Sequence, residues 1–152
     1  MKLSPLIRPE LALVLEGVSS RDALLGKLAD HIATVEPEIE ATALEAALAE
    51  REAQGPTSTP EGVAFPHAMY AGAERTLMAA ARVKGGVDFG RKDHPPCDII
   101  FALVGPPESA WEHVSILARL ARICHTPGAL RCLRGAGTPE ALYGCLTEED
   151  ER

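Results

Sequence analysis

The 152-residue sequence has few aromatic side chains, with one Trp, two Tyr and three Phe, so Ala, Leu, Val and Ile must build the interior. It also has no apolar run close to the roughly 20 residues that cross a bilayer. At the N-terminus, prolines and Glu10 interrupt the apolar residues that a signal peptide would keep continuous. We therefore expect a cytoplasmic protein that is not inserted into a membrane.

An excess of basic charge is missing as well. The formal net charge is −7, which argues against nucleic acid as a partner, because such binding needs a basic face to displace counterions. Five basic residues cluster locally, and we interpret them as a solvated face: Arg75, Arg82, Lys84, Arg91 and Lys92.

Cysteine occurs four times but without a Cys-x-x-Cys pair or a zinc-type grouping with histidine. We therefore expect Cys97, Cys124, Cys132 and Cys145 to be reduced, mostly buried small hydrophobes, and we expect no metal site. The chain is long enough to bury a core without disulfides or metals, so residues 1–152 are expected to form one domain.

The apolar patterns predict strands in the middle of the chain and helices toward both ends. The strands are expected near Leu11–Leu15, in the segment that ends at Pro66-His67, over Leu77–Val83 before a Gly85-Gly86 turn, and, fully buried, over Asp98–Val104. A loop over residues 56–61 leads into the Pro-His segment. This arrangement predicts a mixed sheet covered by helices.

Capping residues predict where the helices begin. The expected helices run from a Ser19 or Ser20 cap to about Val35, from Pro37 to about Gln54, from a Ser109-x-x-Glu112 capping box to about Cys124, and from Thr126-Pro127 and Thr138-Pro139.

The segment Gly62-Val63-Ala64-Phe65-Pro66-His67-Ala68 carries the strongest chemical signal. An apolar run stops at Pro66 and delivers His67 at a strand-to-loop edge, open to a partner. Neutral imidazole is a good nucleophile near neutral pH. In an arbitrary protein, such a Pro-His pair is more often an ordinary strand end.

Three further features can converge on His67. His113 falls in the first turn of a predicted helix, where the helix dipole favours phosphate, although a lone histidine there is usually just partly exposed. Arg51 offers a bidentate phosphate contact or, less specifically, an ion pair with Glu50. The hydroxyls of the Thr57-Ser58-Thr59 cluster could donate to a phosphoryl oxygen or cap the loop.

Taken in order, several segments resemble the type-2 enzyme IIA family of the phosphoenolpyruvate-dependent phosphotransferase system, in its fructose/mannitol and nitrogen-regulatory branch. They are Glu50-Arg51-Glu52, Gly55-x-Thr57, Gly62 to Ala68, Gly86 to Gly90, Asp98 to Val104 and Pro106 to Ala118. The resemblance spans nearly the whole chain. It implies an α/β fold, a three-layer α/β/α sandwich with a mixed central sheet.

The same resemblance implies a phosphocarrier that needs no cofactor. His67 would accept a phosphoryl group from an HPr-type protein, with His113 supporting it and with Arg51 and Thr57 lining the site. The group would pass to a IIB-type domain or act on a regulated target protein as a nitrogen-regulatory signal. The sequence leaves the sugar-specific and nitrogen-regulatory branches open.

Three residues depart from the family pattern and support an alternative. Pro60 should stiffen the loop beside His67, while Glu61 and Met69 should make its rim less suited to phosphate. The alternative is a binding module that keeps the fold and carries no phosphate. A hydrolase using Ser109 or Ser115 with His113 is disfavoured, because no Gly-x-Ser-x-Gly elbow exists.

Overall fold

A mixed sheet of five strands lies in the middle of the molecule, in a computed structural model that describes residues 2–151. In chain order the strands are β1 (Ala12–Glu16), β2 (Val63–Ala64), β3 (His67–Met69), β4 (Leu77–Val87) and β5 (Cys97–Gly105). The spatial order is β1-β4-β5-β2, and β3 continues along the edge of β5 that β2 begins. Only the β4–β5 pair is antiparallel among these pairings.

Helices cover both faces of this sheet. They are α1 (Arg21–Val35), α2 (Ala41–Gln54), α3 (Ala110–Cys124), α4 (Ala129–Gly135) and α5 (Pro139–Glu151). Short 3₁₀ helices precede β1, at Pro9–Leu11, and α3, at Pro107–Ser109.

The central strand β5 joins the two halves of the core, because its side chains alternate between the faces. Ile100, Ala102 and Val104 pack with α1 and α2, whereas Ile99, Phe101 and Leu103 pack with α3, α4 and α5. Both faces are therefore buried, as the continuous apolar run predicts. The three-layer α/β/α architecture is confirmed.

Local capping explains two of the predicted helix starts. Ser20 Oγ accepts a hydrogen bond from the Ala23 amide at 3.1 Å, and Thr138 Oγ1 accepts one from the Ala141 amide at 3.1 Å. The predicted start at Pro37 is wrong, because α2 begins at Ala41 behind a Glu40 cap. Residues 37–39 form a turn instead.

The predicted bounds of α3 are confirmed, because it follows Ser109 and ends at Cys124, but the predicted Ser109 capping bond and the predicted helix start at Thr126 are wrong. Ser109 makes no side-chain capping bond, because it already belongs to the 3₁₀ turn that leads into α3. Thr126 Oγ1 donates back to the Arg122 carbonyl at 3.0 Å and so closes α3. The helix α4 starts later, at Ala129, after Gly128 in a left-handed conformation.

The Gly85-Gly86 pair does not end β4 as predicted. Both glycines have positive φ, 88° and 72°, and the ladder with β5 breaks register between Arg82 and Val87. The pair thus forms an irregularity inside a longer strand, which glycine accommodates without a steric penalty.

The cysteines behave differently from the prediction. Cys132 of α4 and Cys145 of α5 form a disulfide with their Cα atoms 5.9 Å apart, so the expectation that all four are reduced is wrong. Cys97 and Cys124 are free and buried, and burial raises the pKa of their thiols to about 11 and about 12. Such thiols are poor nucleophiles.

No helix between residues 2 and 151 has the length and apolar character that crossing a membrane requires.

Candidate functional site

His67 is the first residue of β3, not the end of the preceding strand as predicted. Pro66 separates it from β2, and its partner on β5 is Leu103. Pro66 lies at the edge of the sheet, where its missing backbone N–H removes no hydrogen bond between strands. The imidazole is therefore carried on a short edge strand and is half-buried.

The hydrogen bonds of the His67 ring define its tautomer. Nδ1 lies 2.9 Å from the carbonyl oxygen of Phe65, which can only accept, so Nδ1 carries the proton. Nε2 then holds a lone pair and accepts a hydrogen bond from Arg51 Nε at 3.2 Å. The ring nitrogen of His67 that carries a lone pair is therefore Nε2.

Arg51 extends from the last turn of α2 toward this nitrogen. Its Nη1 donates to the Gly55 carbonyl at 2.8 Å, which holds the guanidinium beside the ring. An open pocket of about 360 Å³ lies here, lined by Glu50, Arg51, His67 and Met69 among others. The pocket places a permanent positive charge next to Nε2 of His67.

Thr57 lies behind this site. Its hydroxyl donates to the carboxylate of Glu52, and its amide donates to the other carboxylate oxygen at 3.2 Å. Its carbonyl accepts from the Phe65 amide at 3.3 Å, so Thr57 supports the segment that carries His67. A direct contact between Thr57 and a phosphoryl group stays a prediction. Sequence reasoning missed the buried Glu52, although it adjoins Arg51 in the same helix.

His113 lies in the first turn of α3, as predicted, but it is buried and only 2% exposed. Within residues 2–151, neither ring nitrogen has a hydrogen-bond partner. Burial lowers the pKa of His113, and electrostatic interaction with His67 lowers it further, because two imidazoles this close disfavour a charge on both. Its ring is thus kept neutral with unused hydrogen-bonding capacity, and it is close enough to His67 for the two rings to interact electrostatically.

Space for His113 is made by Gly105, at the end of β5. A Cβ on residue 105 would lie 2.5 Å from His113 Nε2 and 2.6 Å from Thr76 Oγ1, so any side chain there would collide with both. No local sequence signal identifies Thr76. It reaches Gly105 because Leu77 pairs with Val104, which makes Thr76 and Gly105 cross-strand neighbours.

Large apolar side chains are exposed beside the two histidines. Among the described residues these are Met69, Trp111 and Val114, with exposures of 39%, 68% and 70%. Met69 is two residues from His67, and the other two flank His113. Single exposed apolar side chains are common on protein surfaces, and these three are available for contact with a partner protein.

Glu61 does not lie on the rim of the site, contrary to the prediction. The carbonyl of the neighbouring Gly62 accepts a hydrogen bond from the Asp98 amide. Asp98 lies five residues along β5 from Leu103, the strand partner of His67, so the two positions are roughly 16 Å apart. Glu61 instead contacts His125 at 3.6 Å. Met69 does line the pocket.

No three His, Cys, Asp or Glu side chains between residues 2 and 151 come together as a metal ion would require.

Residues 5–149 match the family model described as "Phosphoenolpyruvate-dependent sugar phosphotransferase system, EIIA 2". The chain belongs to this type-2 EIIA family. The match covers almost the whole sequence and includes all four predicted site residues.

Curated relatives of this type-2 EIIA chain include two nitrogen regulatory proteins. The one from Pseudomonas aeruginosa is 30% identical over 97% of this chain and 96% of its own length. The one from Bradyrhizobium diazoefficiens is 31% identical over 96% and 95%, respectively.

Solved structures share the fold. Nitrogen regulatory protein IIA-Ntr from Neisseria meningitidis matches with a TM-score of 0.83 and 24% identity, over 95% of this chain and 98% of that one. A chain of the complex between enzyme IIAMTL and phosphorylated enzyme IIBMTL from Escherichia coli matches with a TM-score of 0.73 and 14% identity, over 90% and 94%.

Proposed function

We propose that this type-2 EIIA chain is a cytoplasmic phosphocarrier, a single domain over residues 1–152 that is phosphorylated on His67. The observation that carries the proposal is the tautomer of His67, with Nδ1–H directed to the Phe65 carbonyl and the Nε2 lone pair directed to Arg51. An imidazole held this way has one nucleophilic nitrogen, and it faces a cation that suits a phosphoryl group.

The transfer begins with the phosphohistidine of an HPr-type protein. His67 Nε2 attacks phosphorus in line, the new N–P bond forms as the donor's N–P bond breaks, and the departing donor imidazole takes up a proton from solvent. Phosphoryl transfer depends mainly on positioning and on stabilising spread negative charge, so these residues need no cofactor for it.

Arg51 has two positions in this scheme. In the unphosphorylated chain it occupies the Nε2 lone pair of His67, so it must move aside before attack. Its guanidinium can then pair with two phosphoryl oxygens. His113, neutral and without a partner in residues 2–151, can donate one hydrogen bond to a third oxygen.

A protein is the proposed source of the phosphoryl group and its proposed acceptor. A protein donor must cover the surface around His67, and the exposed Met69, Trp111 and Val114 supply apolar area there. The acceptor would be a IIB-type domain, as in the related mannitol complex. Alternatively the phosphoryl group would alter a regulated target, as the names of the curated relatives suggest. The Cys132–Cys145 bond opposes the cytoplasmic part of the proposal, because disulfides are uncommon there.

The test is incubation of the chain with enzyme I, HPr and phosphoenolpyruvate, followed by intact mass measurement at neutral pH. We expect one added phosphoryl group on the wild type and on His125→Ala, which removes an exposed histidine, and none on His67→Ala. Equal labelling of His67→Ala would refute the assignment.

A small phosphoryl donor, phosphoramidate, separates the chemistry from the partner. If phosphoramidate labels His67 and phospho-HPr does not, His67 remains the acceptor and HPr is excluded as the donor. Absence of labelling with both donors would favour the alternative, a binding module that carries no phosphate.

A further inference from the structure

Two buried polar groups face each other across Gly105 without partners. Thr76 is 7% exposed and His113 is 2% exposed. Within residues 2–151, neither the Thr76 hydroxyl nor either nitrogen of His113 makes a hydrogen bond. A buried hydroxyl or imidazole without a hydrogen bond destabilises the folded chain, so two such groups side by side point to a role in function.

The fold brings these two groups together from different elements. Thr76 directly precedes β4, and His113 is in the first turn of α3. His113 Nε2 and Thr76 Oγ1 both lie within 2.6 Å of the position that a Cβ of residue 105 would occupy. The space between them is thus the space that glycine leaves free.

We propose that Thr76 is a positioning residue for His113: its hydroxyl donates to Nε2 of the ring, keeps the ring proton on Nδ1, and leaves Nδ1–H for a phosphoryl oxygen on His67. The role in transfer rests on the proposed phosphocarrier function. The Thr76–His113 pairing itself does not.

The chemistry of a neutral imidazole supports this arrangement. Such a ring has one N–H and one bare nitrogen, and its proton settles according to the hydrogen bond that the bare nitrogen accepts. Burial lowers the pKa of His113 and keeps the ring neutral. When the Thr76 hydroxyl donates to Nε2, the ring proton stays on Nδ1, which is the tautomer that the Phe65 carbonyl fixes in His67 by accepting from Nδ1–H.

The experiment compares Thr76→Val, which keeps the shape and removes the hydroxyl, with Thr76→Ser, which keeps the hydroxyl. The first measurement is ¹⁵N NMR of the His113 ring in the unphosphorylated chain, with His113→Gln used for assignment. We expect the Nδ1–H tautomer in the wild type and in Thr76→Ser, and a mixture of tautomers in Thr76→Val. A wild-type ring protonated on Nε2, or a pattern unchanged in Thr76→Val, overturns the proposal.

The second measurement is the rate of phosphorylation by phospho-HPr. We expect Thr76→Val to be roughly fivefold to tenfold slower, the effect of one neutral hydrogen bond, with Thr76→Ser close to wild type. In a His113→Gln background, Thr76→Val should cause no further loss, because Thr76 acts through that ring.

The two measurements can refute the proposed function and the positioning role of Thr76 independently. If the wild type takes no phosphoryl group, the proposed function fails, and the NMR spectra still decide the pairing. If the wild type is phosphorylated and Thr76→Val matches it, or if Thr76→Ser is as slow as Thr76→Val, the positioning role is refuted and His67 remains the acceptor.

Discussion

The two ends of strand β5 differ in how their polar groups are used. At the Asp98 end, Arg134 Nε lies 2.9 Å from both carboxylate oxygens, and another guanidinium nitrogen of Arg134 donates to the Glu61 carbonyl. At the Gly105 end, the buried hydroxyl of Thr76 and both nitrogens of His113 have no partner within residues 2–151. We call the Asp98 end of β5 the saturated end, because its polar groups are paired, and the Gly105 end the unsaturated end.

We infer that the polar groups of the saturated end stabilise the fold and that those of the unsaturated end serve function. Charges that are fully paired hold segments in place, and the Asp98–Arg134 pair joins β5 to α4. Unpaired buried groups cost free energy, so two of them at one point are candidates for use by a ligand or a reaction. The exposed apolar side chains Met69, Trp111 and Val114 also lie beside the unsaturated end.

The largest expected effect is on transfer, at the unsaturated end. Arg51→Met removes the cation beside His67 Nε2, and phosphorylation by phospho-HPr should slow by about 10²-fold to 10³-fold, as for loss of a preorganised charge. Thermal unfolding should change little, because Arg51 is only partly buried. Rapid-quench mass spectrometry measures the rate, and Arg51→Lys, which keeps the charge, should fall between. A rate for Arg51→Met equal to wild type would contradict the assigned role.

The next effect is on stability, at the saturated end. Asp98→Asn leaves Arg134 without its charged partner, and the free energy of unfolding should fall by about 1 kcal/mol, since the pair is only half-buried. Denaturant titration measures this loss. Phosphorylation of the folded variant should stay at the wild-type rate. A variant that is stable but slow in transfer would show that the two ends are not independent.

The smallest effect is a pH dependence. The folded-state pKa of His113 is lowered from its ordinary value of 6.5, so below that pH the unfolded chain binds a proton that the folded chain does not. His113 therefore makes the folded state less stable as pH falls through 6.5 and toward its folded pKa. In chemical denaturation from pH 7.5 to 5, wild type should lose stability relative to His113→Gln. Parallel curves for the two proteins would exclude a neutral buried ring.

Local interactions explain which sequence predictions were confirmed. The caps at Ser20 and Thr138 depend on amides three residues away, so their motifs were sufficient. The motif at Thr126 failed because the end of α3 competed for the same hydroxyl. The Pro-His segment and the helix of His113 were likewise predictable, since a proline and an apolar period mark them.

Contacts between distant segments could not be predicted. The place of Thr76 depends on the β4–β5 register, and the pairing of Cys132 with Cys145 depends on how α4 packs on α5. Glu61 was misplaced for the same reason: its six-residue separation from His67 says nothing about the direction in which β2 and β3 run along β5.

The amino-acid sequence alone was enough for the family, the helix-covered mixed sheet and the Pro-His segment that carries the proposed acceptor His67, because each depends on residue type and short spacing. Tertiary structure decided that Arg51 reaches His67 Nε2, that Thr57 binds Glu52, and that His113 is buried over Gly105. These outcomes depend on strand register and helix packing, which bring side chains together across separations that no local pattern records.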